Sequence, residues 1–123
     1  MTPTDATRLE IDDTVIGGAQ ALAIKGDLDL STATRFTEAV EREVWGSEGT
    51  FVLDLSELAF VDSTGMGALL RARAVLARED RTLAVLLPKG AVRQTIDLAG
   101  ILDTLIVYTT REALAAALVP ADD

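Results

Sequence analysis

The sequence contains no cysteine and no histidine. Without cysteine there is no disulfide, thiol nucleophile or thiolate metal site. Without histidine there is no imidazole ligand and no Ser-His pair. Most familiar hydrolytic chemistry is removed by these two absences. Aromatic residues are also scarce, at 4%, so the 49% hydrophobic content is mostly Ala, Val, Leu and Ile. That is the composition of a helix-covered sheet, and a disordered chain would be poorer in such residues. Basic residues are outnumbered, 11 against 20 acidic ones, which leaves a formal net charge of -9. Such a charge repels phosphate backbones and anionic lipid, so no direct nucleic-acid or membrane partner is expected, and a basic or mixed protein surface fits better. No apolar run approaches the roughly 20 residues needed to cross a bilayer, and the start, MTPTDATRLE, lacks a positive segment followed by an apolar one. The expected location is the cytoplasm.

What is present suits one domain. A chain of 123 residues can bury about two-thirds of its unfolded surface. The domain is expected over residues 8 to 119, between a loose polar tail at 1 to 7 and an acidic tail at 120 to 123. RLEIDDTVIGGAQALAIKG gives two extended segments joined at Gly17-Gly18, a pair that supplies the positive φ angles of a tight hairpin turn. Ala33, Phe36, Val40 and Val44 then recur at helical spacing, which predicts a helix over 32 to 45. TFVLDLS reads as a short strand, residues 64 to 79 as a second helix, and TLAVLLP as a buried strand stopped by Pro88. Val92, Ile96 and Ala99 mark a third helix closed at Gly100, LIVY is the last strand, and residues 111 to 118 form a closing helix. Thr109, three residues before Glu112, has capping-box spacing for that helix. The order ββαβαβαβα predicts a mostly parallel sheet with helices against it, made mixed by the opening hairpin.

One short stretch stands apart, LAFVDSTGMGALLRAR. It puts Ser63 at the start of the second helix, beside unpaired backbone amides and the positive end of the helix dipole. Ser63 could simply cap the helix, since serine is a common cap. Gly65 and Gly67 are harder to explain, because glycine inside a helix costs about 1 kcal/mol relative to alanine. Either they clear a docking surface around Ser63, or they let the helix start pack closely on its own strand. Thr64, Gly67, Arg71, Ala74 and Arg78 fall on one helical stripe, with Leu69, Ala72 and Leu76 on the core side. The GDLD segment with Asp27 and Asp29 has the composition of a turn before a helix, and Asp54 reads as a structural strand-end residue.

FVLDLSELAFVDSTGMGALLRAR, with KGDLDLSTATRF before it and LLPKGAVRQTIDLAGILDTLIVYTTREAL after it, resembles the STAS domain of bacterial anti-sigma factor antagonists. The most specific element is the motif Asp62-Ser63-Thr64-Gly65-Met66-Gly67. The resemblance implies a single STAS-like α/β domain, with a mixed, mostly parallel sheet of four to five strands and about four helices. It implies that Ser63 is phosphorylated by an anti-sigma factor that is also a serine kinase, and that a phosphoserine phosphatase reverses this. The unphosphorylated protein would bind the anti-sigma factor and free the sigma factor. Asp27, Asp29, Asp62, Ser63, Thr64, Gly65, Met66 and Gly67 would form the partner surface, with Arg71 added from the helical stripe. No enzyme activity, cofactor or metal is expected.

Other classes fit less well. An aspartic-protease signature has one hydroxyl residue between Asp and Gly, whereas this chain has two. A receiver domain needs Lys-Pro after its last strands, and the order here is Pro88-Lys89. There is no glycine-rich phosphate loop with its lysine. The serious alternative is another STAS module, such as a stressosome-like scaffold, a lipid-transport accessory subunit or a domain of a different signalling system.

Overall fold

The computed structural model describes residues 8 to 118; the tails expected at 1 to 7 and 120 to 123 lie outside the described residues. Strands β1 (Leu9–Ile16) and β2 (Ala19–Leu28) form the opening antiparallel hairpin, with Gly17 and Gly18 at φ +57° and +84° in its turn. Helix α1 (Ala33–Val44) follows, then β3 (Phe51–Asp54), β4 (Leu58–Val61), α2 (Ser63–Arg78), β5 (Leu83–Leu86), α3 (Ala91–Leu98), β6 (Ile106–Tyr108) and α4 (Arg111–Leu118). The main sheet runs β1-β2-β3-β5-β6, antiparallel at β1 and parallel elsewhere, with β4 paired to β2. Among the described residues, strand β1 pairs only with β2 and forms an edge of the sheet.

The two central strands, FVLD and LAVL, are buried at every residue, as expected where a sheet is covered on both faces. Their alternate side chains enter two cores. Leu53 and Val85 join Leu22, Ile24, Phe36, Leu69, Leu76 and Ile96 in the larger one, under α1, α2 and α3. Val52, Ala84 and Leu86 face the other way with Ile16 and Ala21, and Leu114 of α4 closes over them.

The expected class and element order hold, and the sheet gains one strand. β3 pairs with β2 along residues 20 to 23, and β4 takes over the same role along 26 to 28, after a register shift at Gly26/Asp27. Gly26 makes the shift possible: its φ is +102°, and a Cβ there would lie 2.2 Å from the Arg8 carbonyl oxygen. β4 was hidden in the sequence because its burial runs buried, exposed, exposed, buried, with no alternation. The last helix is capped differently from the expected Thr109–Glu112 box. Thr110 accepts from the Ala113 amide at 3.0 Å, and the Thr109 hydroxyl instead accepts from the Arg93 guanidinium at 3.3 Å.

Arg81 is buried at 5% exposure. Its guanidinium donates to the carbonyls of Val44 and Gly49, each at 3.0 Å, and to the Gln20 side-chain oxygen at 2.9 Å, 5.4 Å from the Phe51 ring centre. Burial pushes its pKa down, opposed by the charge of Glu48.

Because the strands from β2 onward are parallel, their C-terminal ends and the N-termini of the four α-helices gather at one end of the molecule. Ser63 lies at that end.

Candidate partner-docking site

α2 begins at Ser63, one residue earlier than the spacing predicts, and its cap is Asp62. One Asp62 carboxylate oxygen accepts from the Gly65 amide at 2.8 Å and the other from the Leu30 amide at 3.3 Å. The Asp62 amide in turn donates to the Leu28 carbonyl at 3.3 Å. One side chain therefore caps α2 and ties it to the turn after β2. Ser63 is relieved of the capping role and stands exposed in the first helical turn. The helix does not pair the amides of that turn.

The two glycines divide the two readings between them. A Cβ at Gly65 would lie 2.2 Å from the Leu28 carbonyl oxygen and 2.9 Å from Val61 Cγ2, so this glycine exists for close packing. A Cβ at Gly67 meets nothing within 4 Å. Gly67 therefore lies bare on the surface. The expected stripe is present: Thr64, Gly67, Arg71, Ala74 and Arg78 are all exposed, while Leu69, Ala72 and Leu76 are buried. Met66 is half-buried and packs on the main core.

The acidic segment is arranged otherwise than as an open loop. Asp27 lies within β2, half-buried, 3.8 Å from the Arg8 guanidinium. Asp29 is buried, and its carboxylate turns inward. It accepts from the Ser31 hydroxyl at 2.8 Å and the Ser31 amide at 2.9 Å, and it pairs with Arg8. The Ser31 hydroxyl is the main cause that holds the Asp29 pKa below the ordinary carboxylate value, against the opposing effect of burial; the Ser31 amide and Arg8 add to the lowering. Asp29 thus shapes the turn, whereas Leu30 beside it projects outward.

Three residues of this region escape a reading of the sequence. Leu30 is 76% exposed and Phe60, on β4, is 49% exposed. The Leu30 amide is bonded to Asp62, the residue before Ser63, and Phe60 lies on β4, the strand that leads into α2. Apolar residues inside apolar runs carry no mark of exposure, although the isolated Leu30 in DLDLST offered one. Arg8 sits outside any motif and gives no signal.

Between α1 and α2 runs a groove of about 470 Å³, lined in part by Thr37, Glu38, Glu41, Thr64, Gly67 and Arg71. A larger polar cleft of about 680 Å³ lies between β1 and α1; it shares Glu38 with the groove and includes none of the residues of the Asp62–Gly67 motif. Asp54 is structural as expected, accepting from the Ser56 amide at 3.0 Å and from Arg111 at 3.2 Å. Among the described residues no three acidic side chains cluster as metal ligands, and no helix is long and apolar enough to cross a membrane. The arrangement presents a hydroxyl on a rigid helix start, with bare backbone and apolar side chains around it.

The STAS domain family profile matches residues 10–117. No curated protein matches the chain in sequence. Among solved structures, the chain is similar to an anti-sigma factor antagonist from Mycobacterium paratuberculosis, with 25% identity, a TM-score of 0.79, and coverage of 89% of this chain and 93% of that one. It is also similar to the phosphorylated form of the Bacillus cell fate determinant SpoIIAA, at 20% identity and TM-score 0.60, covering 89% of this chain and 98% of the other. A third likeness, at 18% identity and TM-score 0.68, is to the murine anion transporter Slc26a9, where 83% of this chain matches 18% of the transporter.

Proposed function

The chain belongs to the STAS family, and on that premise we propose that it is an anti-sigma factor antagonist switched by phosphorylation of Ser63. Unphosphorylated, it docks on an anti-sigma factor that is a serine kinase and so releases the sigma factor; phosphorylated, it lets go, and a phosphoserine phosphatase resets it. The observation that carries this reading is Ser63 itself, an exposed hydroxyl in the first turn of α2 directly after the capping Asp62. Ser63 is here a substrate for another enzyme, and the protein has no turnover of its own. The kinase and sigma factor place its action in the cytoplasm.

The switch is local. A phosphate adds about -1.5 to -2 charges beside the Asp62 carboxylate, close to the segment that holds Asp27 and Asp29. The first-turn amides of α2 and its dipole accommodate the phosphate, so the fold is kept while the docking surface changes charge and bulk. Leu30 and Phe60 serve as apolar anchors beside the switch, Thr64, Gly67 and Arg71 extend the surface along α2, and Gly65 and Met66 set the helix start beneath it.

Incubation with ATP and each serine-kinase anti-sigma factor of the source organism, read by mass spectrometry on the intact protein and on Ser63→Ala, tests this. Phosphate that appears from one kinase and vanishes in the alanine variant supports the switch. No phosphate from any kinase would favour a second reading, in which the STAS module docks as a scaffold or accessory unit without sigma control. The likeness to a segment of an anion transporter keeps that reading in view.

A further inference from the structure

Helix α2 is the most basic element of an acidic protein. Its residues include Arg71, Arg73 and Arg78 and no carboxylate, a formal +3 from three arginines, against -9 for the whole chain. All three arginines are exposed. Among the described residues, none has a carboxylate within 4.0 Å, whereas Arg8, Lys25 and Arg111 all do. None of the three is three or four residues from another, so they do not repel one another as helix neighbours; they leave this element positively charged and open to an opposite charge on a partner.

Their placement is ordered. Beyond Ser63, the residues Gly67, Leu70, Ala74 and Ala77 recur at alternating steps of three and four, the spacing of a seam along which a second helix lies. Leu70 is half-buried and the other three are exposed. Arg71 and Arg78 each follow a seam residue, and Arg73 precedes one. Those are the flanking positions at which charges pair across a two-helix contact. The open space above Gly67 lets a second backbone come close.

We propose that the outer face of α2, from Gly67 to Arg78, receives an amphipathic helix of the kinase, whose apolar ridge lies on the seam and whose acidic side chains pair with the arginines. This rests on the Ser63 reading and adds the partner's chemistry to it. A second copy of this chain is a poor occupant, since two faces of +3 would oppose each other. The arrangement also couples the contact to the switch: the seam starts one turn beyond Ser63, so a phosphate there would meet the acidic flank of the docked helix.

The test takes the kinase that phosphorylates Ser63 and follows its association with the unphosphorylated full chain by stopped-flow at low and high salt. The triple variant Arg71→Gln, Arg73→Gln, Arg78→Gln is expected to associate about tenfold more slowly at low salt, with the difference shrinking as salt screens the charges. Ala74→Trp, which fills the seam, is expected to weaken the complex about tenfold or more without slowing encounter. The substituted side chains are exposed, and a thermal melt checks that each variant stays folded. If the triple variant associates as fast as the wild type with the same salt dependence, this assignment is overturned while the Ser63 switch stands. If no kinase binds or phosphorylates the wild type, both fall. Self-association of the wild type that the triple variant abolishes would give the face to a second copy and likewise overturn the proposal.

Discussion

The two ends of α2 are secured in opposite ways. At the start, the bonds run beneath the surface: the backbone of Gly65 lies against the Leu28 carbonyl, and the Asp62 carboxylate binds two amides. Above them Ser63, Thr64 and Gly67 are left exposed. At the far end, the chain leaves through Asp80 in the left-handed conformation at φ +59°, with the Asp80 and Arg81 amides bonded back to Ala77 and Leu76 at 3.1 and 2.9 Å. The side chain of Arg81 then turns inward and binds α1, β2 and the loop at Gly49. One end is rigid below and bare above, as a recognition site needs; the other uses its charged side chain wholly inside the protein.

Substitutions at the two ends should therefore separate cleanly. The largest effect is expected from Gly65→Ala, whose Cβ overlaps the Leu28 carbonyl: a loss of about 3 kcal/mol or more in urea unfolding, because backbone must move. Arg81→Met should come next, at roughly 2 to 3 kcal/mol, since it strands two carbonyls and the Gln20 amide oxygen. It should leave phosphorylation of Ser63 intact as long as the protein is folded. Gly67→Ala should have the opposite sign, a gain of about 1 kcal/mol, because the new methyl meets only open space and alanine is the better helix former. If Gly67→Ala destabilised the protein as Gly65→Ala does, the division between the glycines would be wrong. Asp80→Gly should add about 0.5 kcal/mol by relieving the left-handed backbone, read as a small rise in Tm.

Acid should also distinguish the ends. The folded pKa of Asp29 is depressed below 3.8, so its stabilisation is fully present above that value and is lost as pH falls through the folded pKa. Amides of the turn at Leu30 to Thr32 should then exchange faster in hydrogen-exchange measurements, ahead of those around Arg81, whose bonds run to two carbonyls and a side-chain amide. Ser31→Ala, which removes the main cause of the depression, should move this loosening to higher pH.

The difference between the ends also explains how much could be read from the sequence. The hairpin was legible because Gly17-Gly18 has one common use, and α1 and α2 because their apolar residues keep helical spacing over several turns. The motif at Asp62 to Gly67 carried the resemblance to the family and marked the candidate site. The division of labour inside it was not legible, since Asp and Ser are equally good caps and only the path of β2 shows which glycine is enclosed. β4 was lost because four residues without alternation carry no period. Arg81 looked like any surface arginine beside Glu79 and Asp80, and only the position of the α1 C-terminus turns it inward.

Among the described residues, alternate residues of strand β1 turn unpaired N–H and C=O groups to its outer edge, and such edges can template the growth of sheets between molecules. Full-length antiparallel pairing of Leu9–Ile16 with a second copy would set Asp12 opposite Asp13 at the centre, both exposed on the strand. Two carboxylates from each copy would be forced together at the spacing of a β-ladder, in proteins that already repel one another. Asp12, held by Lys25 at 3.5 Å, and Asp13 beside it thus oppose edge-to-edge pairing of copies at the middle of the strand.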